Sequence, residues 1–384
     1  MNIGILKERS KGENRVSVVP NHVPALIKLG YTVYLEKDAG TAAGYSNEQY
    51  QERGAVIIDN LESLIKKVDV LLTIRAGAAD NQGESLANQL KEKQIIIGLL
   101  EPYQPHQAFD ALLNQGVTSF SMELIPRTTR AQSMDVLSSM ANLAGYAAAV
   151  FGAEKSTKIF PMMMTAAGTI PPANVFVLGV GVAGLQAIAT SKRLGAVVSA
   201  YDVRSEVKEQ VLSLGAKFVE FDLESASGEG GYAKQMDEAY YKKQRELMKE
   251  ELSNKDVVIT TANIPGKKAP ILITETMVKG MQKGSVIIDL AAERGGNCEL
   301  TESGKTVVKH GVTIVGLENV AAHYVNNASM LYSKNITTFL NNLWDKKELG
   351  KINWEDDIVL ATVVTHQKEI PNEKTRSWIG GKTS

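Results

Sequence analysis

Asn174-Val-Phe-Val-Leu-Gly179-Val-Gly181-Val182-Ala183-Gly184-Leu-Gln-Ala, with Ala196-Val-Val-Ser-Ala-Tyr201-Asp202-Val203-Arg204 following it, decides the fold. Val175 to Leu178 is a short apolar run suited to a strand buried within a parallel sheet. Gly179, Gly181 and Gly184 follow at G-x-G-x-x-G spacing. Leu185, Ile188 and Leu194 then mark a helix that Gly195 closes, and Ala196 to Ala200 reads as the next strand. In such a unit one glycine makes the tight turn, one lets the backbone approach a pyrophosphate, and one brings helix and strand close together. The helix amino end offers free N–H groups and a positive dipole to the phosphates. Asp202 ends the second strand, about 20 residues after the glycines, where a carboxylate accepts both ribose hydroxyls and repels a 2′-phosphate. The stretch predicts an NAD(H) site contacted by Gly179, Gly181, Val182, Ala183 and Gly184, and by Tyr201, Asp202, Val203 and Arg204. Arg204 has two readings: it stacks on adenine, or it accommodates a 2′-phosphate.

Working outward, 384 residues are enough for two domains with separate cores. A hydrophobic fraction of 44% with 22% charged residues is that of a globular chain. The net charge of −1 argues against a nucleic-acid or anionic-membrane surface. The single cysteine, Cys298, excludes an internal disulfide and a cysteine-built metal site, and fits a reducing compartment. Lys7, Glu8 and Arg9 stand where a signal peptide needs an apolar core. No apolar stretch is expected to reach the roughly 18 residues of a bilayer span, so any membrane association would run through a partner. His22, His106, His310, His323 and His366 are scattered without ligand spacing, so no metal is expected.

Residues 1–125 alternate strand and helix. Ile3–Leu6, Thr32–Leu35, Val56–Ile58, Val68–Ile74, Gln94–Ile97 and Val117–Phe120 read as strands, with helical patterns at Val23–Leu29 and Ala108–Leu113. That alternation predicts an open, mostly parallel sheet with helices on both faces, without a glycine fingerprint of its own. Residues 136–160 read as a long small-residue helix. The Met162–Met164 run reads as gap-filling core. Residues 222–238 form a glycine- and acid-rich loop of a length that suggests function. Val257–Thr261, Ser285–Asp289 and Thr313–Val315 supply the last strands, and the helix from Met330 to Leu343 returns the chain to the first domain. From His366 the tail reads as polar and loosely held. The expected architecture is two doubly wound, Rossmann-like α/β domains with an intervening cleft, 1–136 with 328–384 and 137–327.

Arg127-Thr128-Thr-Arg130-Ala-Gln132-Ser133-Met134-Asp135-Val-Leu-Ser138 gathers an arginine, an amide, a carboxylate and hydroxyls at the expected domain junction. Such groups can hold a carboxamide: Asp135 accepts from its NH2 while Arg127 or Ser138 donates to its carbonyl. The same residues can instead form a helix amino-terminal cap, Ser133 with its neighbouring acid. Glu293-Arg294, at the carboxyl end of a strand, either lines the cleft or caps the turn that follows.

The run from Arg127 to Tyr146, Pro161-Met-Met-Met-Thr-Ala-Ala-Gly-Thr and the glycine stretch resemble the NAD(H)-binding subunit, domain I, of proton-translocating nicotinamide nucleotide transhydrogenases. Gly230-Gly231-Tyr232-Ala-Lys-Gln-Met, Thr260-Thr-Ala262-Asn-Ile-Pro-Gly266 and Asp289-Leu-Ala-Ala-Glu-Arg-Gly-Gly-Asn297-Cys298 extend the likeness over nearly the whole chain. The resemblance implies that Arg127, Thr128, Gln132, Ser133, Met134, Asp135 and Ser138 contact the nicotinamide, with Arg127, Gln132, Asp135 and Ser138 serving the reaction. It further implies Ala262 as a cofactor contact and a loop closing over NAD(H) through Gly231 and Tyr232. It implies reversible hydride exchange with NADP(H) on a partner domain, coupled to proton translocation by a membrane subunit. The chain would be a homodimer, cytoplasmic and peripheral on the inner face of the cell membrane. Alanine dehydrogenases share Lys7-Glu8-Arg9…Asn14-Arg15-Val16, and also resemble this chain in fold. They carry a lysine where this chain reads Thr73-Ile-Arg75 and a histidine where it reads Gly98-Leu-Leu-Glu101, and both are missing here. Hydride exchange between nicotinamides needs no general base, since no O–H or N–H bond breaks; oxidising an amine does.

Overall fold

The computed structural model describes residues 1–75, 86–103, 105, 107–221, 237–264, 266–345 and 348–379, with the side chains of Glu238 and Tyr241 left aside. Two compact units divide it: Met1–Met140 with Tyr324–Ser384, and Ala141–His323.

In the first unit β1 (Asn2–Ile5), β2 (Thr32–Glu36), β3 (Val56–Ile58), β4 (Val70–Arg75), β5 (Ile95–Leu99) and β6 (Thr118–Ser121) are joined through helices. They lie in the order β3-β2-β1-β4-β5-β6, all parallel. The near-continuous apolar runs follow from burial on both faces. In β4, Val70, Leu72 and Ile74 enter one core while Leu71 enters another, and in β5 Ile95 and Ile97 oppose Ile96 in the same way. Each such side chain contributes about 1.5–3 kcal/mol on full burial. The helix Val325–Leu343 closes one face with Tyr332, Ile336, Phe339 and Leu340 fully buried.

The second unit repeats the plan. After a hairpin of β7 (Met163–Thr165) and β8 (Gly168–Ile170), the sheet is built from β9 (Asn174–Leu178), β10 (Val197–Tyr201), β11 (Lys217–Phe218), β12 (Val257–Thr260) and β13 (Val286–Asp289). β14 (Thr306–Lys309) and β15 (Val312–Gly316) complete it, in the order β11-β10-β9-β12-β13-β15-β14. β14 pairs antiparallel with β15 across His310-Gly311, both at positive φ, as a two-residue hairpin turn requires. Both sheets therefore reverse direction of growth beside their first strand, the place where doubly wound proteins bind ligands.

Three expectations are corrected. The tail is ordered: β16 (Val363–Thr365) pairs antiparallel with β6, and Ile370 and Ile379 are buried in the first unit's core. The sequence there is polar on average, but its few apolar residues fall at the contact positions. Met162, Met163 and Met164 are exposed rather than core, since both strands of their hairpin lie on the surface. The helix Val136–Lys155 is, by length and composition, apolar enough to cross a membrane, contrary to the sequence reading. Its alanines and glycines make it so. Ala147, Ala148 and Ala149 are fully buried within the second unit, which is how the core helix of a globular domain passes the same test.

Candidate functional site

The fingerprint forms the cradle its spacing predicts. Gly179 ends β9 at φ 91°, in the left-handed region. The helix Val182–Arg193 starts immediately after Gly181, which is extended. A Cβ on Gly184 would lie 2.0 Å from the Gly179 carbonyl oxygen, so helix and turn touch through backbone alone. A Cβ on Gly181 would meet nothing within 4 Å. The chain keeps ground open above Gly181 and closes it at Gly184, which is the shape a pyrophosphate at a helix amino terminus needs. Gly145 completes the support: a Cβ there would be 2.1 Å from the Ala183 carbonyl oxygen, which locks the helix Val136–Lys155 against the start of the fingerprint helix. The site thus fits a dinucleotide.

Asp202 lies just beyond β10, and its carboxylate is engaged. Its oxygens accept from Val180 N–H at 2.6 Å, from Arg204 N–H and Nε at 2.9 Å each, and from Arg204 Nη2 at 2.8 Å. The side chains are 5% and 11% exposed. Four donors match the four acceptor sites of a carboxylate. Asp202 therefore tethers the glycine turn as well as standing at the ribose position, and a ribose would meet a carboxylate already neutralised by Arg204. Tyr201 is a core side chain: its hydroxyl accepts from Gln244 at 3.1 Å and its carbonyl accepts from Gly179 N–H, so only backbone is left to face a cofactor.

In the first unit, Thr129–Met134 forms a 3-10 turn leading into the long helix. Ala131 and Met134 are buried anchors in the core, so Met134 too is a backbone contact at most. Ser133 does not cap the helix, as the alternative sequence reading had it. Asp135 does: it accepts from Ser138 N–H at 2.9 Å and from Ser138 Oγ at 2.6 Å. Arg127, Thr128, Gln132 and Ser133 are exposed, Asp135 and Ser138 half-buried. Asn335 donates to the Ser133 carbonyl, and Arg130 is held by Asp356 and Asp357. The structure thus brings Asp135 and Ser138 together by a bond and presents Gln132 on a turn pinned on both sides. Gly231 and Tyr232 lie outside the described residues.

Sequence reasoning missed the residues that hold the wall opposite the glycine turn. Thr261 Oγ donates to the Gly179 carbonyl at 2.9 Å, and Asn297 holds Ala262 by both its N–H and its carbonyl. Their signal was present but weak, a polar residue after each of two strands. Glu293 and Arg294 form one 3-10 turn that Gly295 ends at φ 97°, with Glu293 accepting from Asn319 N–H; they build a turn.

The first unit also carries buried charge near the ends of β1 and β4. Arg15, 3% exposed, clamps Glu13 through Nε at 2.7 Å and Nη2 at 2.5 Å, and Arg75 approaches Glu13 at 3.6 Å. Burial would raise the Glu13 carboxyl, but Arg15 outweighs it and holds the group below its ordinary value. Glu8 takes hydrogen bonds from Thr73 Oγ, Ile74 N–H and Arg75 N–H, and burial still pushes it up to about 7. Among the described residues no cluster could hold a metal ion.

Known proteins match over the whole of this architecture. Family profiles described as alanine dehydrogenase/PNT match residues 4–144 as the N-terminal domain and 148–373 as the C-terminal domain. An NAD(P) transhydrogenase subunit alpha of Rhodospirillum rubrum is 48% identical over 374 residues, covering 96% of this chain and 97% of that protein. Alanine dehydrogenase 2 of Staphylococcus aureus is 30% identical over 348 residues, covering 87% and 86%. The crystal structure of transhydrogenase from Sinorhizobium meliloti superposes with a TM-score of 0.85 at 44% identity, covering 96% of this chain and all of that one.

Proposed function

The chain belongs to the alanine dehydrogenase/PNT family, and from that membership we propose that it is the NAD(H)-binding subunit of a proton-translocating transhydrogenase. In this reading it exchanges hydride reversibly with NADP(H) on a partner domain, and a membrane subunit couples the exchange to proton movement. The observation that carries the nucleotide part is the cradle at Gly179, Gly181 and Gly184, open where a pyrophosphate belongs and closed by backbone elsewhere. Bound NAD(H) supplies a transferable hydride at its nicotinamide ring. The chain's own share is positioning. N–H groups at Val182 and Ala183 face the phosphates, Asp202, Val203 and Arg204 attend the adenosine ribose, and Ala262 forms the opposite wall. Arg127, Asp135 and Ser138 hold the carboxamide, with Thr128, Ser133 and the Met134 backbone beside them, and Gln132 reaches toward NADP(H).

An amino-acid dehydrogenase is the competing activity, and the charge cluster argues against it. Arg15 has its fork spent on Glu13, where a substrate carboxylate would need it. Glu8 has a suitable proton affinity for a base, but its oxygens are tied to β4 by three donors. The exposed apolar hairpin Met163–Ile170 supports a homodimer, since such a surface is costly to leave wet. The chain would sit in the cytoplasm, held at the inner face of the membrane by its partners. The deciding experiment mixes the chain with an isolated NADP(H)-binding domain and follows hydride transfer to a nicotinamide analogue. Transfer is expected in a complex containing two copies of this chain, with no oxidation of alanine by NAD. Alanine oxidation without transfer would replace this reading with the dehydrogenase.

Cofactor choice gives a second test. With Arg204 folded onto Asp202, the carboxylate both selects the ribose diol and keeps the guanidinium from a 2′-phosphate. NADH is expected to bind more tightly than NADPH, and Asp202→Ala should move the ratio of the two affinities at least tenfold toward NADPH, about 1.4 kcal/mol. Equilibrium dialysis with both nucleotides reads it. An unchanged ratio would mean that Asp202 serves the glycine turn alone.

A further inference from the structure

We propose that Asn297 is a positioning residue for the NAD(H) site, setting the wall opposite the glycine turn through the backbone of Ala262. The inference rests on the reading of the second unit as a nucleotide site and says which remote residue fixes its width. Asn297 is fully buried. Its side-chain oxygen accepts from Ala262 N–H at 3.0 Å, and its amide donates to the Ala262 carbonyl at 2.8 Å and to the Pro270 carbonyl at 2.9 Å. The amide thus pairs with Ala262 as a neighbouring strand would, at a point where β12 has ended and no ladder continues. Ala262 stands against the first fingerprint glycine: a Cβ on Gly179 would come within 3.2 Å of Ala262 N. Thr261, one residue earlier, bonds Leu178 and Gly179 directly. The wall therefore belongs to the crevice between β9 and β12, where the sheet order reverses and ligands of this fold lie.

Asn297 is in turn held from β13. Asp289 closes that strand, and its carboxylate accepts from Asn297 N–H at 2.8 Å, Cys298 N–H at 3.1 Å, Ala291 N–H at 2.9 Å, Thr260 Oγ at 3.0 Å and Thr301 Oγ at 2.7 Å. A buried carboxylate with five donors is a rigid anchor, and rigidity passes through Asn297 to Ala262. The network branches there. One branch, through Asn297, ends on the nucleotide wall; the other, through Thr301, ends on the hairpin approach and touches no candidate cofactor contact.

The branch point supplies the test. Asn297→Asp keeps the acceptor for Ala262 N–H and loses both donors; Thr301→Val removes the other branch at nearly constant volume. Both variants are expected to lower the melting temperature. Asn297→Asp alone is expected to weaken NADH binding, by tenfold or more in fluorescence titration, while Thr301→Val stays within about twofold of the unmodified chain. Asn297→Ser, uncharged, repeats the measurement if the first variant does not fold. NADH affinity unchanged in the folded Asn297 variant, or lost equally in Thr301→Val, would overturn the proposal and leave Asn297 as a stabilising residue only. Failure of the unmodified chain to bind NADH would instead overturn the site reading.

Discussion

Gly184→Ala is expected to abolish NADH binding and to destabilise the second unit, whereas Gly181→Ala is expected to leave the fold intact and weaken NADH at least tenfold. The two residues belong to one motif but face different neighbours. At Gly184 the added methyl would sit 2.0 Å from the Gly179 carbonyl oxygen, a distance no backbone rearrangement smaller than parting helix from turn can relieve. Overpacking of ordinary side chains costs about 1–3 kcal/mol, and here both partners are backbone, so the cost is at the upper end or beyond. The helix Val182–Arg193 would swing from β9, and the N–H groups aimed at the phosphates would go with it. At Gly181 the backbone is extended and nothing of the protein lies within 4 Å of the new methyl, so alanine fits without strain. The room it takes is the ligand's. Melting curves and NADH titrations on both variants check the contrast. A Gly181→Ala chain with full NADH affinity would show that the pyrophosphate does not cross that position.

The contrast also marks what the sequence could and could not convey. Glycine spacing between two apolar runs places a strand, a turn and a helix in register because only one local geometry satisfies all three. The strands of both sheets were legible for the same reason: fully buried β4, β5 and β9 carry unbroken apolar runs with no competing helical period. The family likeness read from the motifs agrees with the full-length matches. What escaped was pairing set by distant residues. β16 is three residues in a polar tail, and β6 supplies the reason it forms. The Met162–Met164 run has a core composition on a surface hairpin, and composition cannot say which. At the site, an acid after β10 was expected to await a ribose; its partner Arg204, two residues on, is equally near in sequence, but its folding back onto both oxygens is a matter of rotamer and solvation. Ser133 and Asp135 both had capping chemistry, and the 3-10 turn through Met134 decided for Asp135. Asn297 and Asp289 lie 35 and 27 residues from Ala262 along the chain and meet it only in the folded sheet.

Gln132→Asn is expected to cut hydride transfer by on the order of 100-fold while leaving NADH affinity within about twofold. The reasoning starts from how firmly the turn around Gln132 is held. Ala131 and Met134 are buried on either side of it, Asn335 bonds the Ser133 carbonyl, and Asp135 ties itself to Ser138. Gln132 itself is exposed, an amide carried on a fixed support. Removing one methylene withdraws that amide by about 1.5 Å, the length of a carbon–carbon bond, and the pinned turn cannot advance to make up the loss. A misplacement of about 1 Å between reacting groups costs on the order of 100-fold in rate. Under the proposed arrangement the amide addresses NADP(H) on the partner, so the loss falls on transfer rather than on NADH binding. Arg127→Ala and Asp135→Ala should behave differently and weaken NADH as well, since their contacts are to the carboxamide of the nucleotide held by this chain; Asp135→Ala should also lower stability by about 1 kcal/mol through the lost helix cap. NADH dissociation constants and transfer rates at saturating nucleotide and partner separate the cases. If Gln132→Asn loses NADH affinity in proportion to rate, the residue belongs to the NAD(H) site, and the partner-facing role assigned to it is wrong.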